Sequence, residues 1–256
     1  MISSEQQYPV HFVGAGPGDP DLITVKGRRL LDEAQIIVYA GSLVPKTLVE
    51  GVTAELYDSA GLNLEEIVSI MVKGVQDGKR VVRLHTGDPA FYGAIREQMA
   101  LLTEEEIVYG VVPGVSSANA AAAALTTELT LPEVSQTVII TRRAGRTPVP
   151  EKEDLQRLAT HQATMMIFLS VGMIEDVVKD LLAGGYGPET PVAVVEKVSW
   201  PEERVLTGTL ATIADQVQEA QIKKTAIIAV GEVFRQGTLA AVSKLYDQSF
   251  SHEYRK

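Results

Sequence analysis

The 256-residue chain contains no cysteine. Disulfides, thiolate metal sites and cysteine nucleophiles are excluded together. The absence fits a reducing compartment, and a cytoplasmic protein is expected. A chain of this length needs no covalent staple, because folding should bury roughly 70–75% of the surface exposed by the unfolded chain. Long apolar runs are missing too. The richest stretch, Ala120–Leu125, is short and dominated by alanine. A membrane span needs about 18 or more apolar residues, so no membrane association is expected. Met1–Tyr8 is polar, without a basic segment leading into an apolar one, and no signal peptide is expected. Positive charge is scarce: 23 Lys and Arg face 33 Asp and Glu, for a net charge of −10. Phosphate binding needs clustered cations, so nucleic acid is not an expected partner. The four histidines, His11, His85, His161 and His252, show no ligand spacing, and no metal site is expected. Only one tryptophan is present, Trp200, and it reads as a packing residue in a hairpin.

What is present is an alternation of short β-branched runs with helical patterns. Strands are predicted at Val10–Val13, Ile36–Tyr39, Arg80–His85 and Ile107–Val112. Asn63 suits the N-cap of a helix carrying Ile67, Ile70, Met71 and Val75 on one face. Tyr92–Leu102 and Ser116–Leu125 read as further helices. This order implies crossover units and a largely parallel sheet. Composition shifts after Thr126, and Glu128–Gln136, with Pro132, reads as a linker. Beyond it, strands are predicted at Thr137–Thr141, Thr164–Leu169, Pro191–Val198, Arg204–Gly208 and Ala226–Gly231. Helices are predicted at Asp154–Thr160, Met173–Ala183 and Leu210–Ala220. The short loop Ser199–Glu203 between two strands implies antiparallel pairs. The expectation is therefore an α/β protein of two α/β domains. Residues 1–126 should carry a mostly parallel sheet and 127–256 a mixed one. The tail after Gln236 is polar and should be loosely held.

Three loops stand where chemistry is placed in such folds, at strand ends. The first is Val13-Gly14-Ala15-Gly16-Pro17-Gly18-Asp19-Pro20. It departs from the dinucleotide pattern, because Asp19 stands where a third glycine belongs. It can be a phosphate loop, a glycine turn without a ligand, or a loop that lets an uncharged-headed ligand approach the backbone. The second is His85-Thr86-Gly87-Asp88-Pro89-Ala90-Phe91-Tyr92, in which Asp88 is either a helix cap or a ligand contact. The third is Val112-Pro113-Gly114-Val115-Ser116-Ser117-Ala118-Asn119. There the serines either cap a helix or hold a polar ligand group.

These three motifs, in this order and spacing, resemble the tetrapyrrole methylase family over about Val10–Phe234. The block Tyr39-Ala40-Gly41-Ser42-Leu43-Val44 and the segment Thr141–Pro150 narrow the resemblance to members that methylate C11 of a corrin precursor. The resemblance implies two α/β domains, a homodimer, and S-adenosyl-L-methionine in the cleft between the domains. Carried over by motif, the cofactor should touch Pro17, Thr86, Gly87, Asp88, Phe91, Ser116 and Ser117. From the C-terminal half it should touch Leu169, Val198, Thr225 and Ala226. Family members often have methionine at 169, where leucine should serve the same apolar role, and usually have proline near 225, where this chain departs from the pattern. The implied activity is C-methylation of precorrin-4 or cobalt-precorrin-4 on the way to vitamin B12. Uroporphyrinogen-III methylation, diphthine synthesis and rRNA ribose methylation are the alternatives within the family.

The residue chemistry is compatible with that implication. S-adenosylmethionine needs no phosphate cradle, and aligning donor with acceptor carries much of a methyl transfer. No general base can be named from the sequence. A tetrapyrrole substrate carries several carboxylates, and an acidic protein must concentrate positive charge to hold it. Arg142, Arg143 and Arg146 lie within one glycine- and proline-rich loop and suit bidentate carboxylate binding. His85 is a further candidate for substrate contact. Lys26, Arg28 and Arg29 form a second cluster, expected to face solvent from a helix. An NAD-dependent dehydrogenase and a nucleotide-sensing module are the rival classes.

Overall fold

A computed structural model describes residues 9–235 and 237. His252 lies outside the described residues, as does the tail beyond Gly237. The chain forms two compact units, the first reaching Ala120 and including Ser199–Glu202, the second comprising the remainder. The division falls inside a helix, ahead of the composition shift at Thr126.

The first unit is built on a sheet of five strands. They are β1 (Val10–Gly14), β2 (Ile36–Tyr39), β3 (Glu55–Asp58), β4 (Val81–His85) and β5 (Tyr109–Val112). Their order is β3-β2-β4-β1-β5, and every pairing is parallel. Alternation along each strand feeds two apolar layers. Val13 and Ala15 pack with Leu30 and Leu31 of α1 (Val25–Glu33) on one face. Val10 and Phe12 pack with Met71 of α2 (Leu64–Gln76) and Leu102 of α3 (Ile95–Glu104) on the other. Asn63 and Glu66 close the α2 capping box. β1 and β4 lie side by side, yet their chains leave for opposite faces, β1 into α1 and β4 into α3. That divergence marks a ligand crevice at the carboxyl ends of an open sheet.

One predicted boundary and one unpredicted strand depart from the sequence expectation for physical reasons. α3 starts at Ile95 rather than Tyr92, because Tyr92 (φ 56°) and Ala94 (φ 48°) adopt left-handed backbone. Strand β3 has no counterpart in the sequence reading. It is a short edge strand, mostly exposed, and lacks the hydrophobic alternation of a half-buried one.

The second unit holds β6 (Val138–Arg142), β7 (Thr164–Phe168), β8 (Pro191–Glu196), β9 (Arg204–Thr209) and β10 (Ala226–Val230). Their order is β6-β7-β10-β8-β9. β6 and β7 run parallel, and the other pairs are antiparallel, so the expected mixed sheet is borne out. α5 (Leu155–Ala159), α6 (Ile174–Ala183) and α7 (Ile213–Glu219) cover one face. Leu155, Val177, Leu181, Ile213 and Val217 interlock there with Met165, Ile167, Val194 and Ile228. The helix α4 (Ser117–Ala124) spans the division between the units.

Candidate functional site

All three loops of the first unit emerge at the carboxyl edge of its parallel sheet, and glycines join them. The Ala15 N–H donates to the His85 carbonyl (2.6 Å), and Gly16 and Gly87 exchange backbone bonds of 3.2 and 2.7 Å. A Cβ on Gly114 would lie 2.1 Å from the Gly87 carbonyl oxygen and 2.8 Å from the Gly14 Cα. A Cβ on Gly14 would lie 2.5 Å from the Gly114 nitrogen. The three backbones therefore touch where only glycine fits.

Asp88 completes the joint. Its Oδ1 accepts from the Ala90 N–H (2.7 Å) and its Oδ2 from the Gly114 N–H (3.1 Å). It does not cap a helix, since α3 begins only at Ile95. It braces the second loop against the third, and each carboxylate oxygen keeps lone-pair capacity for a ligand. The Ser116 hydroxyl accepts from the Ala118 N–H (3.3 Å) and acts as a cap. The Ser117 and Thr86 hydroxyls have no partner among the described residues. Gly87 takes left-handed backbone (φ 60°), and the space where its Cβ would stand is bordered at 3.9 Å by the Ser117 nitrogen and the Val115 oxygen. Backbone groups of the third loop therefore stand at ordinary contact distance beside Gly87. Phe91 is 40% exposed beside it in sequence, and Pro17 is buried.

The same edge carries a further turn. The Asp58 carboxylate accepts from the Gly41 and Ala60 N–H groups, both at 2.9 Å. These bonds hold its carboxyl below the usual carboxylate range. A Cβ on Gly41 would lie 2.3 Å from Asp58 Oδ2, which explains the glycine of the Ala40-Gly41-Ser42 block. The sequence reading missed Asp58, because its strand carried no pattern.

In the second unit the expected contacts gather at one sheet edge. β10 runs antiparallel to β7 and β8, so its start meets their ends. Leu169, Lys197 and Thr225 stand there with φ of 55°, 47° and 54°. The Lys197 N–H donates to the Thr225 carbonyl (2.8 Å). Left-handed backbone in such residues is strained, and strain of this kind concentrates at ligand sites. Leu169 is 69% exposed, an apolar side chain held out to solvent. Val198 is buried and Ala226 half-buried, so neither presents an open side chain.

The arginine loop divides. Arg143 pairs with Asp180 (2.6 Å) and Asp176 (3.3 Å) of α6, and its charge is already offset. Arg142 turns back on its own loop, donating to the carbonyls of Thr147 (3.1 Å) and Pro148 (2.6 Å). Arg146 is exposed and has no partner among the described residues. His85 is corrected in another way. Its ring is buried beside Phe12, with centroids 6.1 Å apart, and its Nε2 has no partner. Burial first, and the Arg83 charge second, push its pKa down to about 3. It contributes a carbonyl to the loops, and its imidazole lies in the packed layer rather than on a surface a substrate would meet.

The donor set suits S-adenosylmethionine better than a dinucleotide. Backbone groups of the third loop line the space beside Gly87, exposed apolar side chains can cover a flat base, and Asp19 bars a pyrophosphate from the first loop. Among the described residues no group of three His, Asp or Glu could hold a metal ion, and no helix is long and apolar enough to cross a membrane.

Residues 9–214 match the family model of the tetrapyrrole (corrin/porphyrin) methylases. The cobalt-precorrin-4 C(11)-methyltransferase of Methanocaldococcus jannaschii is 59% identical over 249 residues, covering 96% of each chain. The solved structure of a cobalt-precorrin-4 methyltransferase, a cobalamin biosynthetic enzyme, superposes with a TM-score of 0.87 at 47% identity, over 89% of this chain and 96% of the other. A uroporphyrin-III C-methyltransferase from Thermus thermophilus, solved in complex with S-adenosylhomocysteine, gives a TM-score of 0.73 at 29% identity, over 88% and 97%.

Proposed function

The chain belongs to the tetrapyrrole (corrin/porphyrin) methylase family, and from that premise we propose that it methylates C11 of cobalt-precorrin-4, or of metal-free precorrin-4, with S-adenosylmethionine as donor. The observation that carries the reading is the glycine-joined edge, where Gly14, Gly87 and Gly114 hold three loops backbone to backbone. Bound there, the cofactor supplies a methyl group on a positively charged sulfur. The residues' task is to align and enclose. Thr86, Gly87, Asp88 and Ser117 offer polar groups for the amino-acid and ribose portions, while Phe91 and Leu169 offer apolar cover. Pro17, Ser116, Val198, Thr225 and Ala226 complete the proposed contacts, through backbone wherever the side chain is buried. These residues would hold donor and acceptor in line and keep water out, and alignment carries much of a methyl transfer.

The substrate's carboxylates need a cation, and Arg146 is the loop arginine left to provide it. Arg142 shapes that loop, and Arg143 anchors it to α6. A homodimer in the cytoplasm belongs to the same proposal and rests on the family resemblance; light scattering on the purified chain tests the dimer.

Turnover assays with four acceptors decide the function. Cobalt-precorrin-4 and precorrin-4 should each be compared with uroporphyrinogen III and with the protein substrate of diphthine synthesis. Methylation of either precorrin-4 form alone is expected, and the faster of the two reports whether cobalt is already in the ring. Preferential turnover of uroporphyrinogen III would overturn the assignment to C11.

A further inference from the structure

The only tryptophan, Trp200, does more than pack a hairpin. It lies between β8 and β9, in the segment Ser199–Glu202 that folds with the first unit. Its indole Nε1–H donates to the Pro17 carbonyl at 2.9 Å. Next to it, the Asp19 N–H donates to the Ser199 Oγ at 2.9 Å. Between these two bonds the indole fills the side-chain space of Gly18: a Cβ there would stand 2.1 Å from Cδ1 and 2.4 Å from Nε1. Gly18 is glycine because the tryptophan occupies its side-chain space. Ser199 reaches its bond from left-handed backbone (φ 64°), so the clamp is kept despite strain.

We propose that Trp200 and Ser199 clamp the Pro17-Gly18-Asp19 turn in its ligand-binding shape, which makes Trp200 a positioning residue for the methyl donor. The inference rests on the reading that this turn contacts S-adenosylmethionine. A glycine-rich turn has many conformations to lose, and binding to an unclamped turn must supply that ordering. Two hydrogen bonds and an indole ring packed on Gly18, arriving from about 180 residues away in sequence, remove that cost before the ligand arrives. Proline at 17 cannot donate a backbone bond, so its carbonyl is the only main-chain group by which that residue can be held.

Calorimetric titration with S-adenosylhomocysteine, alongside thermal melting, tests the clamp. W200F keeps a ring against Gly18 and loses the N–H donor. S199A removes the acceptor for the Asp19 N–H and leaves the indole in place. Each should weaken S-adenosylhomocysteine binding by about threefold to tenfold, the worth of one neutral hydrogen bond. KM for S-adenosylmethionine should rise in step, with KM for the tetrapyrrole unchanged. Because Trp200 is the only tryptophan, its emission should shift saturably with the affinity that calorimetry measures. A lowered Tm with unchanged affinity in both variants, or emission indifferent to saturating ligand, would overturn the clamp while leaving the methyltransferase reading intact. Failure of the unaltered protein to bind S-adenosylhomocysteine would overturn both.

Discussion

The two sheets solve the same problem by opposite means. At the edge of the parallel sheet, side chains are removed: Gly14, Gly87 and Gly114 let three backbones touch. At the edge of the mixed sheet, side chains are retained against backbone preference: Leu169, Lys197 and Thr225 all take left-handed φ. Proximity of backbones gives the first edge rigidity and a polar lining. Strain gives the second an apolar leucine held out to solvent. Substitution should therefore damage folding at the first edge and binding at the second.

The largest effect is expected for Gly114→Ala. Its new Cβ would stand 2.1 Å from the Gly87 oxygen, a backbone atom that cannot move alone. Overpacking usually costs about 1–3 kcal/mol, and a collision with two joined loops should reach or exceed about 3 kcal/mol in denaturant unfolding. A variant within about 1 kcal/mol of the parent would show that the edge yields and the contrast is false.

Next comes His85, which sits below that edge. Its folded pKa of about 3 lies below the ordinary value of 6.5, so protonation favours the unfolded chain. Above pH 6.5 the ring is neutral in both states and carries no pH-dependent penalty. Stability then falls by about 1.4 kcal/mol per pH unit as the pH drops below 6.5, levelling off near pH 3. His85→Phe fills the same place beside Phe12 without a titrating nitrogen. Melts from pH 8 to pH 5 should show the parent losing about 2 kcal/mol more than the variant. Parallel curves would mean that the imidazole reaches water.

Leu169→Gly probes the other edge. Glycine releases about 1–2 kcal/mol of left-handed strain and returns about half of it as freedom in the unfolded chain. Stability should change by less than about 1 kcal/mol, while S-adenosylhomocysteine affinity falls by about tenfold as apolar cover is lost. Unchanged affinity would remove Leu169 from the proposed contacts.

The smallest effect separates the arginines. Arg146→Ala should raise tetrapyrrole KM by up to about fivefold without altering Tm, because an exposed ion pair is worth at most about 1 kcal/mol. Arg143→Ala should instead lower Tm, because Asp180 loses a partner at 2.6 Å. The reverse pattern would put the substrate's carboxylates on Arg143.

The same contrast explains what the sequence revealed. Glycines write their requirement into the sequence, so all three loops of the parallel sheet were legible, as were Asn63 and its helix. Left-handed leucine, lysine and threonine leave no such mark, because φ is imposed by the neighbouring strands. Leu169 and Thr225 were reached only through family resemblance, and Lys197 was not reached at all. Edge strand β3 was invisible because burial, the source of hydrophobic alternation, is slight there, and Asp58 went with it. The arginine loop misled in part: a run of like charges does not show that Asp176 and Asp180, a helix away, already neutralise one of them. Trp200 was undervalued for the same reason, since its partners lie at the other end of the chain.

Transfer of a carbon-13 methyl group tests the central claim most directly. The protein is incubated with cobalt-precorrin-4 and S-adenosylmethionine labelled at the methyl carbon, and the product is read by carbon NMR. One enriched methyl, bonded to the ring carbon at position 11, is the expected result. Enrichment at another ring position, or on nitrogen or oxygen, would contradict it.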